Sequence, residues 1–274
     1  MVLGIIQGAT EFLPVSSSGH LALAQALFKN FKQPGLLFDV SLHLATALAV
    51  VVYFYRDILG LFRRNAEQEA ADEMTGSGKL MRINWNLVWM MVIAMVPTGI
   101  IGFALKDRVE ASFTKPLCVG IFLIITALIL FLADLAARKR PGALKAQDPG
   151  MWQAIIIGIS QGLAVFPGIS RSGATISTGI YTGVRGDYSA RFSFLLSVPA
   201  VLAASALSLF KERSAIMGFQ WQEIFAYLLA MASAFVVGYF SIKLVFNLVK
   251  RARLSWFGIY CLIVGGLVVV VSLG

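Results

Sequence analysis

Six stretches of the chain stay apolar long enough to cross a bilayer: residues 36–55, 84–105, 117–136, 189–210, 223–243 and 255–273. Each meets the ~20 residues that a spanning helix needs, so each is read as a transmembrane helix. Two further apolar regions, residues 1–28 and 151–184, are interrupted by the polar sequences PVSSSGH and PGISRSG. The arms on either side of each break are only ~10 to 16 residues long, too short to span alone, so each pair is read as a re-entrant helix-loop-helix hairpin. Irregular backbone at membrane depth is tolerated only where protein or a wet cavity covers it, so the breaks mark the place to look for a site. The expected fold class is an all-α polytopic membrane protein with two re-entrant hairpins and six transmembrane helices.

The two broken regions also resemble each other. With the sequence displaced by 154 positions, residues 4–20 match residues 158–174 at eight of seventeen places, including Gln7/Gln161, Gly8/Gly162, Phe12/Phe166, Ser16/Ser170, Ser18/Ser172 and Gly19/Gly173. Each half then holds one hairpin followed by three spans: residues 1–137 and 151–274, joined by a linker over 138–150. Three spans are an odd number, so the second half is inverted relative to the first, and the two breaks are expected to meet near the midplane.

Composition agrees with a membrane protein. Hydrophobic residues make up 58% of the chain against 14% charged, and the mean hydropathy is +0.80; no water-solvated surface is built that way. The net charge of +9 sits in short gaps between apolar runs, where it reads as topology and headgroup contact and not as a nucleic-acid surface. Fourteen Lys and Arg residues fall on one side of the expected topology, among them Arg63, Arg64, Arg138, Lys139 and Arg251, and seven on the other, among them Lys29, Lys32, Lys106 and Arg213. The richer side is cytoplasmic, so both termini face out. The segment from Arg56 to Arg82, with five acidic and five basic residues around GSG, reads as a solvated connector. Cys118 and Cys261 lie in apolar runs with no CxxC or Cys/His pattern, so no disulfide framework or zinc site is indicated. The first 28 residues lack a basic n-region, and no cleaved signal peptide is expected.

The chemistry gathers at the breaks. Glu11 is a carboxylate in an apolar arm, costing roughly 2.5 to 3.5 kcal/mol at the centre of a bilayer unless something compensates it. Gln7 lies one turn earlier on the same helical face and can orient whatever Glu11 holds. Histidine is the side chain that titrates near neutral pH when unperturbed, so His20 is the natural proton carrier or nucleophile. In the second break Arg171 carries the planar fork that grips phosphate or carboxylate. Gly168, Ser170 and Ser172 there, like Ser16 in the first break, precede a half-helix whose N-terminal amides form an anion cradle. Each feature alone has a plain structural reading: a Ser-rich turn caps a helix, and a Glu and an Arg at membrane depth pair to hold hairpins together. Asp39 and His43, on the first span, can line a cavity or cap a helix; Asp134 and Asp187 at span ends read as interfacial or capping residues.

At these residues the sequence closely resembles the bacterial undecaprenyl pyrophosphate phosphatases, also called the bacitracin-resistance protein family, over essentially the whole chain. The family's first motif, (E/Q)xxxE followed by PVSS(S/T)GH, appears as Gln7 to Glu11 and Pro14 to His20, and its second, PGxSRSxxT, as Pro167 to Thr175. The resemblance implies hydrolysis of undecaprenyl pyrophosphate to the monophosphate, recycling the carrier lipid for cell-wall polymers and conferring bacitracin resistance; the charge-derived topology, in which the first hairpin enters from outside, places the site at the outer face of the cytoplasmic membrane. It implies that Arg171, Ser170 and Thr175 hold the pyrophosphate, that Ser17 or His20 is the nucleophile, and that Glu11 assists proton transfer or binds a divalent cation, Mg²⁺ or Ca²⁺. It leaves a homodimer open. This chain has Gln7 at the position where the pattern also allows Glu, so Glu11 is the sole acid of the motif. Inverted repeats with broken helices also build secondary transporters, and a carrier or lipid-phosphate translocator is the alternative from a different class.

Overall fold

A computed structural model describes residues 1–27, 36–60, 85–139, 148–211, 220–250 and 253–273. Much of the 56–82 connector, the 140–147 part of the linker, and Lys29, Lys32 and Arg213 of the charge count lie outside the described residues. The regular elements are helices: α1 (Val2–Phe12), α2 (Ser17–Leu27), α3 (Leu36–Tyr53), α4 (Tyr55–Gly60), α5 (Trp85–Ala104), α6 (Lys106–Phe113), α7 (Pro116–Lys139), α8 (Met151–Leu163), α9 (Arg171–Tyr181), α10 (Gly186–Lys211), α11 (Trp221–Lys250) and α12 (Ser255–Leu273). Five of the six expected spans, α5, α7, α10, α11 and α12, are long and apolar enough to cross a membrane. The sixth, expected over 36–55, is a shorter apolar helix, Leu37–Tyr53, because the chain turns after Tyr53 and restarts at Tyr55 as α4. The other elements follow the polar pattern closely, with α12 matching its expected range of 255–273.

The short arms survive because larger helices cover them. In α1 the buried positions Leu3, Gly4, Gln7, Gly8, Glu11 and Phe12 recur at the three-to-four spacing of one helical face. That face lies against α11, and α8 lies in the same way against α5. Both contacts use a small-xxx-small stripe: a Cβ on Gly4 would stand 2.1 Å from the Ala230 carbonyl oxygen, and one on Gly158 2.2 Å from that of Ala94. Without hydrophobic drive between helices in lipid, such close backbone approach is what dispersion packing needs. Thr98 on α5 adds a hydrogen bond of 2.9 Å to the Gly158 carbonyl.

The breaks themselves are set by proline and serine. Leu13 is extended, with φ −63° and ψ 138°, as expected before Pro14; Ser16 then takes a left-handed φ of 70°. Its hydroxyl accepts from the Gly19 N–H at 3.3 Å, and the Ser170 hydroxyl accepts from the Gly173 N–H at 3.0 Å. These N-cap bonds stand 154 positions apart, at the spacing of the sequence match. The loops are also tied to each other: the Gly168 N–H donates to Ser16 Oγ at 3.0 Å and Ser172 Oγ donates to the Leu13 carbonyl at 3.2 Å. Thr126 on α7 braces the second loop by donating to the Gly168 carbonyl at 2.8 Å and accepting from the Ser170 N–H at 3.0 Å.

Gly168 has φ +105°, and a Cβ there would lie 2.5 Å from the Val119 carbonyl oxygen. A left-handed conformation alone costs a substituted residue about 1–2 kcal/mol, and the close approach adds to it. Gly168→Ala is therefore expected to lower thermal stability in detergent measurably, whereas an unchanged melting curve would show that the loop relaxes freely.

Candidate functional site

Where the two breaks meet, a cavity of about 400 Å³ opens, within the range of small-molecule sites. Its polar wall is made by Glu11, Ser16, Ser17 and Ser18 from the first break, Ser170 and Arg171 from the second, and His43, Thr98, Gln161 and Ser205 from the surrounding helices. Apolar side chains, among them Val40, Phe113, Ile169 and Val201, complete it.

Glu11 organises the polar wall. Its Oε1 accepts from Arg171 Nη2. Its Oε2 accepts from Ser17 Oγ at 2.6 Å and from Gln7 Nε2 at 2.8 Å, with His43 Nδ1 at 3.3 Å. Only 4% of the carboxylate side chain is exposed, and this ring of donors is what makes its burial tolerable. Arg171 belongs to the first turn of α9, so guanidinium and helix N-terminus present positive charge to one place.

Of the residues singled out from sequence, Glu11, Ser16, Ser17, Ser170 and Arg171 share this cavity. Gln7 stands behind Glu11, fully buried. Gly168 and Ser172 tie the loops together, as described above. Thr175 does not line the cavity: its hydroxyl lies 2.5 Å from that of Ser193 on α10 and donates to the Arg171 carbonyl at 2.8 Å, bracing the turn that carries Arg171. His20 points elsewhere too. Its Nδ1 is 2.8 Å from the Ser16 carbonyl, its Nε2 is 2.8 Å from the Tyr260 hydroxyl, and its ring stacks on that of Tyr260 with centroids 5.6 Å apart.

Three participants had little sequence signal. From sequence His43 can line a cavity or cap a helix, and Thr126 and Tyr260 are single polar groups in apolar spans. A charged or titratable residue in a span is a functional candidate by default, which is the signal by which His43 could have been found. Asp134 pairs with Arg138 at 3.0 Å and Asp187 with Arg185 at 2.8 Å.

A resident divalent cation fits this donor set poorly. No group of three or more His, Cys, Asp or Glu side chains gathers among the described residues. Glu11, the one carboxylate in the cavity wall, already has both oxygens committed to Arg171, Ser17 and Gln7, whereas Mg²⁺ demands a near-octahedral set of oxygens.

Comparison with known proteins agrees over the same residues. Residues 1–267 match the family described as "Bacitracin resistance protein BacA". Two similar proteins are an undecaprenyl-diphosphatase from Methanosphaera stadtmanae, 39% identical across 99% of this chain and 96% of its own length, and one from Syntrophotalea carbinolica, 40% identical across 99% and 97%. A third undecaprenyl-diphosphatase, from Christiangramia forsetii, is 40% identical across 97% of this chain and 94% of its own. With both breaks and all but the end of the last span inside the matched region, the chain belongs to the bacitracin resistance protein BacA family.

Proposed function

We propose that the chain is an integral-membrane phosphatase that hydrolyses undecaprenyl pyrophosphate to undecaprenyl phosphate and inorganic phosphate. The observation that carries this is the triad of Ser17, Glu11 and Arg171 in one cavity: a hydroxyl donating to a buried carboxylate, which in turn pairs with a guanidinium beside a helix N-terminus. Phosphoryl transfer asks mainly for positioning and charge neutralisation, and Arg171 with the amides of α9 supplies both. Ser17 Oγ attacks the terminal phosphorus while its proton passes to Glu11 Oε2. The bond from that phosphorus to the bridging oxygen breaks, and undecaprenyl phosphate leaves with the bridging oxygen. Water then attacks the phosphoserine and the bond from Ser17 Oγ to phosphorus breaks; Ser17 recovers its proton from Glu11, the proton lost by the attacking water moves to a phosphoryl oxygen, and inorganic phosphate departs. Arg171, released from Glu11 once that carboxylate takes the proton, holds the transferring phosphoryl oxygens. The divalent cation expected from the resemblance is assigned to the diphosphate, which would bring it in, and no step above depends on it.

The inverted repeat belongs to this proposal, with halves over 1–137 and 151–274. Its support is the exchange of partners, α1 on α11 and α8 on α5, together with the two N-cap bonds 154 positions apart. Purified protein in detergent should release phosphate from a prenyl pyrophosphate; a transporter would move substrate into liposomes and release none.

The site is assigned to the outer face of the cytoplasmic membrane, with both termini outside. The cavity wall includes Phe113 at the end of α6, which carries Lys106 and Arg108 of the sparser, outer set of basic residues. A cysteine at Val15 would be a poor reporter because Val15 is buried in the core. Phe113→Cys, in a chain whose half-buried Cys118 is replaced by Ser, should react with a membrane-impermeant thiol reagent added to intact cells. Labelling only after permeabilisation would reverse the orientation.

A further inference from the structure

We infer that His43 is a second substrate-facing group, a neutral imidazole whose Nε2–H donates to the pyrophosphate and whose tautomer is fixed by Gln7. Its chemical role rests on the phosphatase reading above; the tautomer does not. His43 lines the same cavity as Ser17, Glu11 and Arg171, and its side chain is 31% exposed there. Its Nδ1 lies 2.9 Å from Gln7 Nε2, and the same Gln7 nitrogen lies 2.8 Å from Glu11 Oε2.

One assignment of protons fits the shortest contacts among these three side chains. Glu11 already receives hydrogen bonds from Arg171 and Ser17 and is an acceptor. Gln7 must therefore turn its amide nitrogen toward Glu11, because its oxygen there would face a second oxygen. The two amide hydrogens of Gln7 then go to Glu11 and to His43 Nδ1. A proton on Nδ1 would have Glu11 Oε2 at 3.3 Å but would oppose the amide of Gln7 donor to donor at 2.9 Å; the shorter contact places the ring proton on Nε2. Among the described residues Nε2 has no protein partner, and with Nδ1 held at the Gln7–Glu11 wall the free edge of the ring borders the cavity. A donor is thereby preorganised in the wall of the cavity that Arg171 also lines.

His20 takes the opposite form for an equally local reason. Its Nδ1 faces the Ser16 carbonyl, an acceptor only, so Nδ1 carries the proton and Nε2 accepts from the Tyr260 hydroxyl. Since the chain has two histidines, ¹⁵N-histidine labelling of the whole protein in detergent reports both rings, and His20→Asn assigns them. His43 is expected to show a protonated Nε2 and a bare Nδ1, and His20 the reverse; inorganic pyrophosphate should shift the His43 Nε2 resonance and leave that of His20 in place. A proton on His43 Nδ1, or a pyrophosphate response confined to His20, would overturn the inference. With farnesyl pyrophosphate as substrate, His43→Ala should lose ~10²-fold in kcat/KM at an unchanged melting temperature, and His43→Gln, which keeps an N–H donor, should recover at least a tenth of the original activity. His43→Ala within threefold of the unaltered protein, or His43→Gln no better than His43→Ala, would also overturn it. If the unaltered protein releases no phosphate while the two rings show the expected tautomers and response, the phosphatase reading fails and the donor assignment stands.

Discussion

A Ser17→Ala protein is expected to release phosphate from a prenyl pyrophosphate on the order of 10⁴-fold or more slowly than the unaltered chain. The substitution removes the attacking oxygen and its proton path to Glu11, a hydrogen bond of 2.6 Å, yet leaves Glu11 paired with Arg171 and Gln7. Folding should therefore survive, and the loss should fall on turnover. His20 offers the contrast. Its contacts are the Ser16 carbonyl and Tyr260, not the cavity, so its replacement should act by loosening the left-handed turn at Ser16 and should leave residual activity well above that of Ser17→Ala. Asn at position 20, which can still donate toward the Ser16 carbonyl, should be milder than Ala. Steady-state phosphate release by the three proteins decides the matter. A Ser17→Ala protein that keeps a tenth of the original activity would remove Ser17 as nucleophile and leave a water held by Glu11 as the attacking group.

The contrast between Ser17 and His20 marks the limit of what residue order conveys. Both follow Pro14 within six residues and both have the chemistry of a nucleophile, so spacing alone could not separate them. What separates them is the turn. Ser16 adopts a positive φ, after which Ser17 starts α2 on the side of Glu11, while His20, three residues on, faces Tyr260 of α12, a partner 240 positions away. The spans were legible because a bilayer imposes length and apolarity on each of them independently, and the breaks were legible because Pro and Ser cannot sit there without consequence. The partners of the short arms were hidden: Gly4 and Gly158 advertise close approach, but not that Ala230 and Ala94 would receive it. His43 was visible as a polar residue in a span, yet its role depends on Gln7, 36 positions earlier, turning its amide between two side chains.

Arg171→Lys is the substitution that separates charge from geometry at this site. Removal of the cation altogether would leave Glu11, 4% exposed, without its ionic partner, and stranding one member of a buried pair costs about 3–5 kcal/mol; an Ala variant would thus confuse folding with catalysis. Lysine keeps a positive charge near Glu11, so the hairpins should still dock through the bonds of Gly168 to Ser16 and of Ser172 to Leu13. What lysine lacks is the planar fork, with its several N–H groups fixed in one plane. In the proposed reaction that fork leaves Glu11 as the carboxylate takes the Ser17 proton and closes on the phosphoryl oxygens, an exchange that a single ammonium point charge cannot reproduce in both positions. Loss of one preorganised transition-state donor is worth ~10²-fold or more in turnover, so Arg171→Lys should fall by at least that in kcat while its melting temperature in detergent stays near that of the unaltered protein. Near-full activity would show that positive charge alone suffices, and would move the phosphate clamp from Arg171 to the backbone amides at the start of α9.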